Sequence, residues 1–206
     1  MDPATVFGVG RWSGPARIIR SLDGGRSWTS SDMAPLATGL VDVYFFDRRR
    51  GLAVGGVGVG PSEAEQRASR TVVLGTLDGG DSWQVRHVSS QTGEWAWKIA
   101  FPTRSIGYVA TQGSAGTGVV LKTTDGGVSW RELVVGRGLG FSGIGFASAD
   151  LGWVSGVDTY ETRDGGASWR PVRLGENLNR YRMSASAGYA AGRQVHRFAA
   201  GVDSQR

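Results

Sequence analysis

The sequence predicts an all-β fold, and three observations carry that expectation. One octapeptide returns four times: SLDGGRSW at 21–28, TLDGGDSW at 76–83, TTDGGVSW at 123–130 and TRDGGASW at 162–169. Short runs of strand length, apolar or alternating, fill the chain between the copies. The 34 glycines gather in the turns between those runs, where disorder would have scattered them.

The spacing sharpens the class. Asp23, Asp78, Asp125 and Asp164 lie 55, 47 and 39 residues apart. Around each copy a longer pattern recurs. A first run (VDVYFFD at 41–47, WAWKIAFP at 95–102, SGIGFAS at 142–148) precedes a second (GLAVGG, GYVATQG, GWVSG and GYAAG, with VFGVG at 6–10 in the same slot). A third run leads into the octapeptide (ARIIRS, RTVVLGT, GVVLKT, TYET) and a fourth leaves it, as in SWQVRHV. Four antiparallel strands recurring at about 40–45 residues is the signature of a β-propeller blade. A helical solenoid does not fit the alternation, and a β-sandwich leaves the period unexplained. The chain reads as one domain, 1–206, with a partial unit at 1–37, units at 38–91, 92–138 and 139–180, and a partial unit at 181–206. The first unit lacks its first strand and the last its fourth. About five blades are therefore expected, either as a small ring or as part of a seven-bladed one, which at about 40 residues per blade needs about 280 residues.

Each octapeptide reads as a self-contained turn. Glycine supplies the positive φ that the hairpin needs, and the Asp carboxylate accepts N–H bonds within the turn, helped by the Ser or Thr two places earlier. Tryptophan then covers the hairpin with apolar surface. Asp23, Gly25 and Trp28, Asp78, Gly80 and Trp83, Asp125, Gly127 and Trp130, and Asp164, Gly166 and Trp169 are thus expected to be structural. Four equivalent copies on separate blades cannot all face one substrate.

Ser/Thr-x-Asp-x-Gly-x-Ser/Thr-Trp is the Asp-box or BNR pattern, found in sialidases, sortilin-type receptors, xyloglucan hydrolases and photosystem II stability/assembly factors. The doubled glycine of TxDGGxSW, the preceding F-x-x-x-x-x-GYVA-like strands and the ending NRYRMSASAGYAAGRQVHRF resemble the last of these families over nearly the whole chain. That resemblance implies a seven-bladed, non-enzymatic assembly chaperone.

Composition narrows the chemistry. Without cysteine there are no disulfides, thiolate zinc sites or thiol nucleophiles. His87 and His196, the only histidines, lie in strands, where packed or exposed structural roles are expected. Glycosidases need two converging carboxylates, and Asp42, Glu94, Asp158 and Glu161 qualify only by being acidic. ARIIRS lacks the proline of the sialidase Arg-Ile-Pro motif. GGVGVG at 55–60 is followed by no helix signal, so it reads as a strand end and not a phosphate loop. Arg48, Arg49 and Arg50 read as a solvated turn. No cofactor and no metal are expected. No run approaches the about 20 apolar residues of a membrane span, and the start, MDPATVFGVGRW, shows no signal peptide. Sequence upstream of Met1, if it exists, would point outside the cytoplasm, to a periplasm or thylakoid lumen.

Binding is expected on one face. Strand 1–2 turns and the Asp boxes lie at one end of each blade, while the 2–3 loops and blade connections lie at the other. Only the second set varies in length, from VGPSEAEQRASR (59–70) through TQGSAGTG (111–118) to almost nothing in the fourth unit. Variable loops on a rigid scaffold are where function usually sits. Arg11, Trp12, Arg67, Arg70, Trp95, Arg137, Arg173 and Arg180 fall there. The net charge is +5, with 21 of the 23 basic residues arginine. Arginine pairs with carboxylates and stacks on aromatics, so the expected partner is a protein with an acidic surface and not a nucleic acid. Self-association is expected if the ring is incomplete, and a glycan-binding or glycoside-hydrolysing propeller stays open as the alternative.

Overall fold

In the computed structural model, residues 4–10, 15–113, 117–137, 140–184 and 187–199 are described. They form five antiparallel sheets that follow one another along the chain. Blade 1 holds β1 (Val6–Gly10), β2 (Arg17–Ser21) and β3 (Thr29–Asp32). Blade 2 holds β4 (Gly39–Phe45), β5 (Gly51–Val57), β6 (Arg70–Thr76) and β7 (Gln84–Val88). Blade 3 holds β8 (Glu94–Ala100), β9 (Gly107–Gly113), β10 (Thr117–Thr123) and β11 (Arg131–Arg137). Blade 4 holds β12 (Gly143–Phe146), β13 (Gly152–Ser155), β14 (Thr159–Thr162) and β15 (Arg170–Val172). Blade 5 holds β16 (Arg180–Met183), β17 (Ala187–Ala191) and β18 (Val195–Ala199).

One element departs from the expectation of strands and loops. The long insertion of blade 2 carries a short helix, α1 (Glu63–Ala68). Ser62 caps it: its hydroxyl accepts the Glu65 N–H while the Glu65 carboxylate accepts the Ser62 N–H. This reciprocal capping is encoded in Ser-Glu-Ala-Glu, a helix-start signal inside an otherwise β sequence.

The hydrophobic core lies between consecutive blades, and the two-residue period of the strands puts it there. In β6, Val72 and Leu74 face blade 1, while Val73 faces blade 3. In β10, Val119 and Leu121 face blade 2, while Val120 faces blade 4. The middle strands are covered on both sides, so their sequences run apolar without alternating.

The F-x-x-x-x-x-G spacing has a packing cause. Phe45 and Phe146 end their inner strands and Phe101 directly follows its own; the three rings lie over Gly51, Gly107 and Gly152, which open the next strand. A Cβ at these glycines would fall 2.3–2.6 Å from the ring carbons, so only glycine fits. Phe45 stacks on Phe7 of blade 1 at 4.0 Å and Phe146 on Tyr108 of blade 3 at 3.7 Å. The same ring that closes a blade also binds it to its neighbour.

Candidate functional site

The four octapeptides share one local network. In the third, Asp125 accepts the Thr123 hydroxyl at 2.7 Å, the Val128 and Ser129 N–H groups at 2.9 and 3.0 Å, and the Ser129 hydroxyl at 2.5 Å. The Thr123 oxygen in turn accepts the Gly127 N–H at 2.9 Å. Ser21/Asp23/Ser27, Thr76/Asp78/Ser82 and Thr162/Asp164/Ser168 repeat the pattern. The paired glycines all have positive φ, between 66° and 91°. Donors converging on each carboxylate, led by the Ser27 and Ser168 hydroxyls, hold Asp23 and Asp164 at about 2. Burial pushes Asp125 up, but the Ser129 and Thr123 bonds outweigh it and leave it at about 2.

Each box also reaches beyond its hairpin. The first glycine of each pair donates its N–H to the carbonyl of Ala4, Arg49, Ser105 or Asp150, which tethers the box to the chain before its blade's second strand. The second glycine receives the preceding blade. Phe7 sits over Gly80, Leu52 over Gly127, and Leu133 with the edge of Tyr108 over Gly166. Cations close two of these joints. Arg20 donates to the Gly79 carbonyl at 2.9 Å and pairs with Asp81 at 2.7 Å, and Lys122 donates to the Gly165 carbonyl at 2.6 Å.

The inner strands β4, β8, β12 and β16 pack side by side and line an open axial cavity of about 130 Å³. Asp42, Tyr44, Lys98, Ile144, Arg180 and Arg182 are among its lining residues. Two bulges build its polar part. The pairing of β4 with β5 slips between Leu40 and Asp42, and that of β8 with β9 slips between Ala96 and Lys98. An extra residue re-aims the side chain that follows it, and in both strands that residue is charged. Asp42 accepts the Ile99 N–H at 3.2 Å and the Val43 N–H at 3.1 Å, tying blade 2 to blade 3. Burial holds Lys98 below its usual range; Asp42 opposes the shift, while Arg180 and Arg182 add to it. Three cations thus meet one carboxylate.

The residues singled out on the loop face are dispersed. Arg180 lines the cavity, whereas Arg67 sits on α1 paired with Glu63. Arg70 donates to the Ser89 carbonyl at 2.7 Å, and Arg137 and Arg173 are exposed on separate blades. Trp95 is only 7 % exposed and packs inside the protein. Arg11 and Trp12 lie outside the described residues. Lys98 and Arg182 escaped the sequence reading. A lysine inside the apolar run WAWKIA was a usable signal, as was Arg-Tyr-Arg, which puts both arginines on one side of a strand.

The acidic candidates take separate positions. Glu161 is buried, accepting Arg163 at 2.7 Å, Arg170 at 2.6 Å and the Trp153 indole at 3.1 Å. Glu94 is buried between blades, where burial pushes its carboxyl up; Ser89 opposes that and Glu132 adds to it. Asp158 lies exposed in a turn. Asp47 closes the arginine turn by accepting the Arg49 and Arg50 N–H groups, and Arg50 lies over Phe46 at 4.2 Å. Burial holds His87 below its usual range.

Solved structures share this fold. YCF48 from Cyanidioschyzon merolae aligns over 85% of this chain with a TM-score of 0.55 and 18% identity. The GH74 xyloglucanase from Xanthomonas campestris aligns over 95% with a TM-score of 0.63, and an ancestral GH74 enzyme over 92% with 0.62, both at 15% identity. The fold is a β-propeller. The resemblance to photosystem II assembly factors seen in the sequence is matched by the likeness to YCF48. The chain spans 62% of that YCF48 chain and 34% and 26% of the two GH74 enzymes. No family model matches it, and no curated protein matches it.

Proposed function

We propose that this propeller is a non-catalytic binding scaffold that receives an acidic segment of a partner protein at its axial mouth. The observation that carries the reading is the convergence of Lys98, Arg180 and Arg182 on one cavity against the single carboxylate of Asp42. An unbalanced cluster of this kind attracts carboxylates and speeds encounter with them. The small volume suits one or two acidic side chains, with exposed arginines such as Arg173 meeting the rest of the partner. Asp42 already accepts two backbone N–H groups, and glycoside hydrolysis needs a second carboxylate across the bond. An assembly-chaperone role is the form of this reading that the sequence resemblance favours.

Fluorescence anisotropy with a labelled Asp/Glu-rich peptide, an uncharged peptide and a Lys-rich peptide tests it. The acidic peptide should bind alone, weaken as salt rises, and lose about tenfold or more in affinity with Arg180→Glu and Arg182→Glu. Equal binding of all three peptides would overturn the reading. Turnover of xyloglucan or a sialoside would replace it with the glycan-acting alternative.

A further inference from the structure

The joint between blades is a repeated recognition unit. On the outgoing side of a blade, the second residue of the second strand stands opposite a residue of the third: Phe7 faces Arg20 in blade 1, and Tyr108 faces Lys122 in blade 3. On the incoming side of the next blade stands the glycine pair of an Asp box. The aromatic ring lies against the second glycine, beside Leu133 at Gly166, and the cation caps the carbonyl of the first. Tyr108 adds its own hydroxyl, which donates to the Gly165 carbonyl at 3.0 Å.

Blade 5 carries the same outgoing pair, with both side chains exposed. Tyr189 stands opposite Arg197 in the register that Tyr108 and Lys122 share. Tyr189 is 44% exposed, and Arg197 is exposed as well. Blade 1 carries the matching incoming side. A Cβ built on Gly24 would meet nothing within 4 Å, and one on Gly25 would meet only the ring of the box's own Trp28. Trp28 is 47% exposed.

We propose that these two flanks bind each other between copies of this chain: Tyr189 and Arg197 of one molecule seat on the Gly24–Gly25 Asp box of a second. The occupant follows from complementarity, because the molecule already joins blades 1 to 2 and 3 to 4 with this chemistry. The contact is heterologous, with a different surface on each partner, so association continues past a dimer unless it closes into a ring. One position is mismatched. Asp81, which pairs with Arg20 in blade 2, is replaced by Arg26 in blade 1, and Arg26 would face Arg197. The charge at residue 26 therefore tunes the contact.

Sedimentation velocity from about 1 to about 100 µM tests the proposal. The full chain should sediment faster as concentration rises. Arg26→Asp should tighten association about tenfold, and Tyr189→Ser with Arg197→Glu should weaken it by at least as much. A monomer throughout this range, or self-association indifferent to all three substitutions, would overturn it. A second measurement uses the absence of native cysteine. A short bismaleimide should join an Arg26→Cys chain to a separate Tyr189→Cys chain. If cross-linking occurs only within the double variant, the flanks close inside one molecule and the second copy is excluded.

Discussion

The first and second Asp boxes use nearly the same eight residues and lead different lives. Asp23 and Asp78 each hold a Ser hydroxyl at 2.6 Å, and the Ser21 and Thr76 hydroxyls reach them at 2.8 and 2.7 Å. Locally the two carboxylates hold the same flanking hydroxyls. Yet Trp83 is 7% exposed and belongs to the core between blades 1 and 2, whereas Trp28 is 47% exposed and belongs to none. Phe7 and Arg20 reach the second box from blade 1, and among the described residues no such ring and cation reach the first. The octapeptide therefore does two things. It closes a hairpin wherever it occurs, and it becomes a seat for the preceding blade only where such a blade stands beside it.

The tryptophans should separate these roles most sharply. Trp83→Ala opens a cavity in a packed core and should lower stability by about 3–5 kcal/mol. Trp28→Ala should cost about 1 kcal/mol or less, as is usual away from the core. Urea titration of both variants measures the gap, and equal losses would erase the distinction. The aspartates should show no such gap. Asp125→Ala removes hydrogen bonds made within its own turn and should cost about 1–3 kcal/mol. Asp23→Ala should shift the melting temperature by a comparable amount despite its open flank, because the bonds it loses are the same local ones.

Smaller effects appear in acid. The box carboxylates at about 2 ionise more readily in the fold than when unfolded, near 3.8. Between those values the unfolded chain binds more protons, so this stabilisation is complete above about pH 4 and is lost as pH falls toward 2. Glu94 has the opposite sign. Burial raises its pKa above 4.5, so the fold binds the extra proton and stability falls as pH rises through the raised value. Glu94→Gln should be mildly stabilising at neutral pH and neutral in effect near pH 4. Melting temperatures across pH 2–8 would show whether the two classes of carboxylate diverge in this way.

The boxes were legible in the sequence because every bond they make locally falls within nine residues. The strands were legible because a two-residue period and frequent glycine turns leave few other solutions, and the fold class followed from their spacing. The helix α1 was encoded as well, in a Ser-Glu-Ala-Glu capping signal lying within a stretch that otherwise reads as loop. Trp95 shows where this kind of reading stops. Its place beside a blade connection suggested a surface, but whether a strand residue faces water depends on the neighbouring sheet.

The axial cluster depended on tertiary structure altogether. Lys98 and Arg180 are 82 residues apart and meet only because consecutive blades turn their inner strands toward one axis. The bulges before Asp42 and Lys98 leave no mark in composition, since an extra residue in a strand is visible only against the partner it fails to pair with. What the sequence determined by itself was the repeating unit, whose energetics are local. The tertiary structure decided which copies of that unit are seats and which are open flanks, and which charges share a cavity. Those outcomes rest on contacts between blades, and no single repeat carries that information.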